Sequence, residues 1–139
     1  GFLDGASMVA AFALGAEGIQ LGTRMVSAKE SPVHDNWKNA IVNAKETDTV
    51  FLNRFHSPAL RALRTERTSR LEKNPDVNAM TEFGVAKELY FGGNREAAIP
   101  LTGQVAGRID SVRPVAEFIA EIREEFESVL RDLGRQYLV

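Results

Sequence analysis

Residues 1–23 read as two glycine turns joined by one helix and one strand, and this pattern constrains the fold more than anything else in the chain. In "GFLDG" Asp4 can cap a helix whose first turn begins at Gly5. Met8, Val9, Phe12 and several alanines give that helix a slim apolar face, and Gly15 is placed to end it in a left-handed cap. Small side chains on such a face suit a helix lying close against a sheet. "GIQLGT" follows at once: Gly18–Leu21 reads as a short buried strand running into a Gly22–Thr23 turn. Turn, helix, strand, turn is half of a βαβ unit. A strand belongs before Gly1.

The rest of the chain is rich in helix and poor in strand. Ser31 and Pro32 open a helix running to about Ala44, with Val33, Trp37, Ala40, Ile41 and Ala44 on its buried stripe. Thr49–Phe55 is strand-like and Pro58 breaks it. "ALRALRTERTSRLEK" reads as an amphipathic helix. On it Arg61, Arg64, Arg67 and Arg70 recur every third residue, as a solvated or salt-bridged side rather than an anion site. Residues 78–110 are the least regular, with Gly84, Gly92, Gly93, Gly103 and Gly107 around Pro100. Val112–Leu133 has apolar residues at helical spacing (Val115, Phe118, Ile119, Ile122, Phe126, Val129, Leu130, Leu133), capped by Asp110 or Ser111. Two short strands make no stable sheet for these helices to cover. The expectation is a C-terminal piece whose sheet lies mostly outside these residues.

Bulk properties exclude several classes. The 139 residues carry a net charge of −2, with arginines dispersed among acids, so no electrostatic footprint for nucleic acid exists. Cysteine is absent, which removes disulfides, thiol nucleophiles and Cys-ligated metals. No apolar run approaches the ~20 residues of a membrane span, and no signal peptide is visible, so a cytoplasmic location is the default expectation.

The chemistry of the two turns follows from their backbones. Each offers N–H groups that a missing Cβ leaves accessible, and the helix opening at Gly5 adds a dipole favourable to an anion. One helix and one strand between Gly5 and Gly22 return both turns to the same end of a sheet. A phosphate held there would meet mainly neutral donors, the Thr23 hydroxyl among them, with Arg24 able to assist or to face solvent or an acid. The plainer reading is two ordinary connecting turns. His34, at the start of its helix, reads as a capping or packing residue, His56 as a loop residue and Trp37 as core. Gln104, between Gly103 and Gly107, reads either as an amide facing a ligand or as part of a turn feeding the last helix.

The stretch "GFLDGASMVAAFALGAEGIQLGTRMVSAKESPVH" resembles the phosphate-binding end of the FMN barrels of the nitronate monooxygenase (2-nitropropane dioxygenase) family. Their pattern runs Gly-Gly-Ile-x-Asp-Gly, an Ala-rich helix ending Leu-Gly-Ala, a strand, and Gln-x-Gly-Thr; Phe2 replaces the usual Ile. "GQVAGRI" before a long terminal helix resembles them too, and the likeness is looser over residues 56–100.

The resemblance implies an α/β fold, the C-terminal part of a (β/α)8 barrel from the loop after strand 7 onward. Gly1–Gly5 becomes that loop, Gly5–Leu14 helix 7 and Gly18–Leu21 strand 8. Residues 1–26 would hold the phosphate loops, 27–110 a helical and irregular insertion, and 111–139 the terminal helix. Gly1, Gln20, Leu21, Gly22 and Thr23 become FMN contacts, and Gln104 would line the active site. No metal is implied, and the catalytic His belongs to an earlier part of the barrel. The implied partners are a small substrate, oxygen and the N-terminal part of the same barrel, with neither nucleic acid nor membrane.

The implied reaction is oxidation of alkyl nitronates by oxygen through the flavin, an activity of the whole barrel rather than of these residues alone. The FMN-dependent enoyl-acyl-carrier-protein reductases of the second type share the phosphate loops and a similar "KES…H" stretch, and take hydride from NADH. A helical, non-enzymatic interaction module is the expectation from a different class.

Overall fold

A computed structural model describes residues 1–138. Its helices are α1 (Gly5–Ala13), α2 (Thr23–Val26), α3 (Asp35–Val42), α4 (Glu66–Glu72), α5 (Ala86–Tyr90) and α6 (Val115–Tyr137), with a 3-10 turn at Gln104–Arg108. The strands β1 (Thr49–Leu52) and β2 (Leu60–Leu63) form an antiparallel pair in which Phe51 faces Arg61 and Val50 faces Ala62.

Helix α1 starts and stops as its sequence dictates. Asp4 and Ser7 form a reciprocal capping box, satisfying donors that the first turn leaves over. At the other end Gly15 has φ of +94°, its N–H donates to the Phe12 carbonyl at 2.9 Å, and the Ala16 N–H reaches the Ala11 carbonyl at 3.0 Å. That pair of bonds is a Schellman stop, and the positive φ is why a glycine stands there. The slim face packs against α6 rather than a sheet. A Cβ on Gly5 would stand 2.6 Å from the Ile122 carbonyl oxygen, and Phe12 meets Phe126 edge-on at 5.4 Å between ring centroids.

Four expectations about the elements need correction. Gly18–Leu21 is irregular, because among the described residues no neighbouring segment offers its N–H groups an acceptor, and a strand exists only by pairing. The helix expected from Pro32 begins at Asp35, capped by the His34 ring, whose Nδ1 accepts the Asn36 N–H at 3.1 Å. The Arg-rich segment splits into strand β2, which carries Arg61, and helix α4, so only Arg67 and Arg70 share a helix face, and both reach Glu82. Burial alternation against β1 overrides the helical spacing there: Val50, Leu52 and Ala62 are buried with Leu71 and Ile99 in one cluster. Finally, α6 is capped by neither Asp110 nor Ser111. Both carboxylate oxygens of Glu30, 85 residues earlier, accept the Val115 N–H, at 3.2 and 3.0 Å. Its apolar stripe is covered only in part: Phe118 and Ile122 are buried, while Ile119, Leu130 and Leu133 are exposed.

The stripe expected on α3 is where it should be. Trp37 and Ile41 are fully buried with Leu63, Leu89 and Ala98, and Val33, Ala40 and Ala44 pack against them. The hairpin is closed by Asn53, whose positive φ of 63° an Asn tolerates better than most residues. Its amide bridges Pro58 and Ala79, donating to one backbone and accepting from the other at 2.7 Å each. No helix among the described residues is long and apolar enough to cross a membrane.

Candidate functional site

The first glycine turn is already occupied by the protein itself. Ser7 N–H donates to Asp4 Oδ1 at 2.8 Å, and Arg108 pairs with Asp4 Oδ2. Burial pushes the Asp4 carboxyl up, but the Ser7 hydrogen bonds and the Arg108 charge outweigh it and hold the group below its ordinary value. Gly5 N–H donates to Glu125 Oε2 at 2.7 Å. A carboxylate therefore sits where a phosphate was expected to meet the helix opening. The expectation that Gly5 contributes to an anion site gives way to a packing role, since the absent Cβ lets α6 approach.

The second turn is bare. The N–H groups of Gly22, Thr23 and Arg24 have no acceptor among the described residues, and a Cβ on Gly22 would meet nothing within 4 Å. Thr23 is buried, and its Oγ1 accepts the Gly103 N–H at 2.7 Å. An accepting hydroxyl keeps its own hydrogen to donate. Three backbone donors and one hydroxyl next to open space suit a phosphate group, so the residues present fit the phosphate end of FMN.

The chain brings Gly1 to the same place through a residue not singled out from sequence. Val105 Cγ2 lies 3.4 Å from the Cβ position of Gly1 and 3.7 Å from that of Gly103. The glycine spacing of "GQVAG" was the available signal, pointing to close backbone approach without saying to what. Gln104 is exposed and lines a cavity of about 420 Å3 with Gly1, Glu46, Val105 and Arg108. Gln20 is exposed, and Leu21 packs its side chain against the Phe118 and Ile122 cluster, which leaves only its backbone for a ligand.

Arg24 is structural. It is buried, donates to the Ser111 carbonyl at 2.7 Å and lies 4.6 Å over the Phe118 ring, and burial lowers its pKa. His34 is the α3 cap, packed against the Gly93 backbone, and His56 Nε2 lies 2.9 Å from the Asp76 carbonyl in the hairpin loop. A larger cavity of about 620 Å3 lies away from these turns, between α3 and Arg64–Thr65. Among the described residues no group of His, Asp and Glu is placed to hold a metal ion.

The sequence profile of the nitronate monooxygenase family matches residues 1–125. The chain belongs to that family. A probable nitronate monooxygenase of Staphylococcus aureus (strain MSSA476) is 28% identical over 137 residues, covering 94% of this chain and 38% of the relative. Among solved structures, FabK from Thermotoga maritima superimposes with a TM-score of 0.88 at 37% identity, over 99% of this chain and 45% of that one. A nitroalkane oxidase from Streptomyces ansochromogenes shares the fold, with a TM-score of 0.73 at 23% identity over 96% of this chain and 39% of its own. The chain thus spans less than half the length of these proteins.

Proposed function

We propose that this chain supplies the flavin-phosphate end of a (β/α)8 barrel that oxidises alkyl nitronates with oxygen. Residues 1–26 would carry the phosphate loops and the seventh helix of the barrel, with Gly18–Leu21 becoming a strand only when paired in the intact barrel; 27–110 would be an insertion and α6 the terminal helix. The observation that carries the reading is the bare Gly22–Thr23 turn, held by Gly103 and backed by family membership. Gly22 and Thr23 would hold the phosphate through their N–H groups and the Thr23 hydroxyl. Gly1, Gln20 and the Leu21 backbone would border it. FMN, when bound, supplies the ring that accepts electrons from the substrate and passes them to oxygen. The Gly103 N–H holds the Thr23 hydroxyl oxygen, and Gln104 borders a nearby cavity. The catalytic base would come from another part of the barrel.

The 37% identity to FabK favours a second reading, reduction of an enoyl thioester with NADH. The two separate in the reductive half-reaction of the full-length protein. Mixed anaerobically with an alkyl nitronate, the flavin absorbance should bleach, and with NADH it should persist. Bleaching by NADH alone would assign the chain to the second reading.

A further inference from the structure

We propose that residues 100–103 form a strut through which a phosphate at Thr23 orders the β1–β2 hairpin, making the hairpin a positioning element of the cofactor site. This rests on the reading above that the Gly22–Thr23 turn holds the flavin phosphate. The strut is a third strand in all but length. Ala62 bridges Leu101 in antiparallel sense, and two hydrogen bonds flank that pair. Leu63 N–H donates to the Pro100 carbonyl at 2.9 Å, and Thr102 N–H to the Arg61 carbonyl at 3.0 Å. Strand β2 therefore lies between β1 on one side and residues 100–102 on the other. The next backbone donor, Gly103 N–H, goes to Thr23 Oγ1 at 2.7 Å.

The segment leading into the strut is held as well. Gly84 bridges Ala98, with Val85 N–H donating to the Ala97 carbonyl and Ile99 N–H to the Phe83 carbonyl, each at 2.8 Å. Pro100 is fully buried where the chain changes partner from residues 83–85 to β2, and its ring fixes φ at that change. Ala62, Leu63, Ile99, Thr102 and Thr23 are buried too. A segment pinned along both stretches has no slack. A shift of the hairpin is carried to Gly103 and on to the Thr23 hydroxyl.

Gly103 shows what this contact requires. Its φ of −81° is open to any residue, so backbone freedom does not call for glycine here. Proximity does: a Cβ would stand 3.0 Å from Thr23 Oγ1 and press on the hydroxyl. That hydroxyl accepts from Gly103 and keeps its hydrogen for the phosphate. Donating the hydrogen to an anion makes the oxygen a better acceptor, because linked hydrogen bonds polarise one another. Phosphate binding thus tightens the Gly103 bond, and a strut that opens weakens the hold on phosphate in return.

Hydrogen exchange is measured on the full-length protein, stripped of flavin and then saturated with FMN. FMN should slow exchange of the Leu63, Thr102 and Gly103 amides at least fivefold. Thr23→Val keeps the shape and loses the hydroxyl. At an FMN concentration raised to saturate that variant, the slowing at Leu63 and Thr102 should vanish, whereas Thr23→Ser should retain it. Gly103→Ala leaves the Thr23 side chain whole, displaces the strut from it, and should at least halve the slowing. Unchanged exchange on FMN binding to the parent protein overturns the proposal, as does equal slowing in Thr23→Val or in Gly103→Ala. In each of those cases loss of FMN from Gly22→Val still keeps the phosphate at its turn. A Gly22→Val variant that binds FMN as tightly as the parent removes the phosphate from the turn, and the proposal with it.

Discussion

The two glycine turns look alike in sequence and differ completely in what surrounds them. At "GFLDG" the N–H groups of Leu3, Asp4 and Gly5 are taken by Ser7 and Glu125, and α6 presses on the Gly5 Cα. At "QLGT" the donors have no acceptor among the described residues, and the Thr23 hydroxyl is engaged by Gly103. A glycine thus serves packing at one turn and access at the other. The sequence spacing that pairs them does not distinguish the two uses; the neighbour that arrives from residues 122–126 does.

The largest expected effect breaks the comparison through stability. Gly5→Ala pushes a methyl into the α6 backbone and should cost about 2–3 kcal/mol in urea unfolding, whereas Gly22→Ala should stay within ~0.5 kcal/mol. Equal losses would mean the turns are equivalent after all. Flavin retention sharpens the same contrast. Gly22→Val should strip the flavin during gel filtration without shifting the unfolding of the flavin-free protein, because its side chain fills ligand space rather than protein space. A variant that keeps its flavin would remove the phosphate from this turn.

Thr23→Ala is a smaller change with two parts, loss of a donor to the phosphate and release of Gly103. About 1–3 kcal/mol of flavin affinity should go, read by fluorescence titration, and Thr23→Ser should restore most of it. Failure of Ser to rescue would put the methyl, rather than the hydroxyl, at the centre of the role. The smallest effect is acid sensitivity of the closed turn. The Asp4 carboxyl is held below its unfolded value, so its contribution is complete above that value and fades as pH falls through the lowered folded one. Stability should therefore decline somewhat less on acidification in Asp4→Asn than in the parent; identical profiles would dismiss the Asp4 carboxylate as a contributor.

Much of the first region was legible because its signals are local. Asp4, Ser7 and Gly15 set the ends of α1 through bonds within a few residues, and the Gly-Thr turn carried its family likeness in a short motif. Trp37 and Ile41 were readable for the same reason, as neighbours on one helical stripe. What failed depends on partners distant in sequence. Arg61 and Leu63 sit at helical spacing from Arg64 and Arg67, yet pairing with Phe51 and Thr49 draws them into a strand. Gly18–Leu21 has the composition of a strand without an acceptor to make it one. The role of Arg24 was decided by Ser111 and Phe118, far along the chain, and the contact of Gly103 with Thr23 left no local trace beyond its glycines.

The cap that Glu30 places on α6 has a consequence for how this chain tolerates change. Lys29 N–H also donates to the Arg113 carbonyl at 2.9 Å, so the backbone departs and returns at a single point. Everything between residues 31 and 112 is then an excursion whose two ends are pinned together. Lengthening such an excursion adds closure entropy only logarithmically, a doubling costing ~0.6 kcal/mol. Insertions in the hairpin loop therefore cost little so long as Gly103 still reaches Thr23, as a tool keeps its handle when the bit is exchanged.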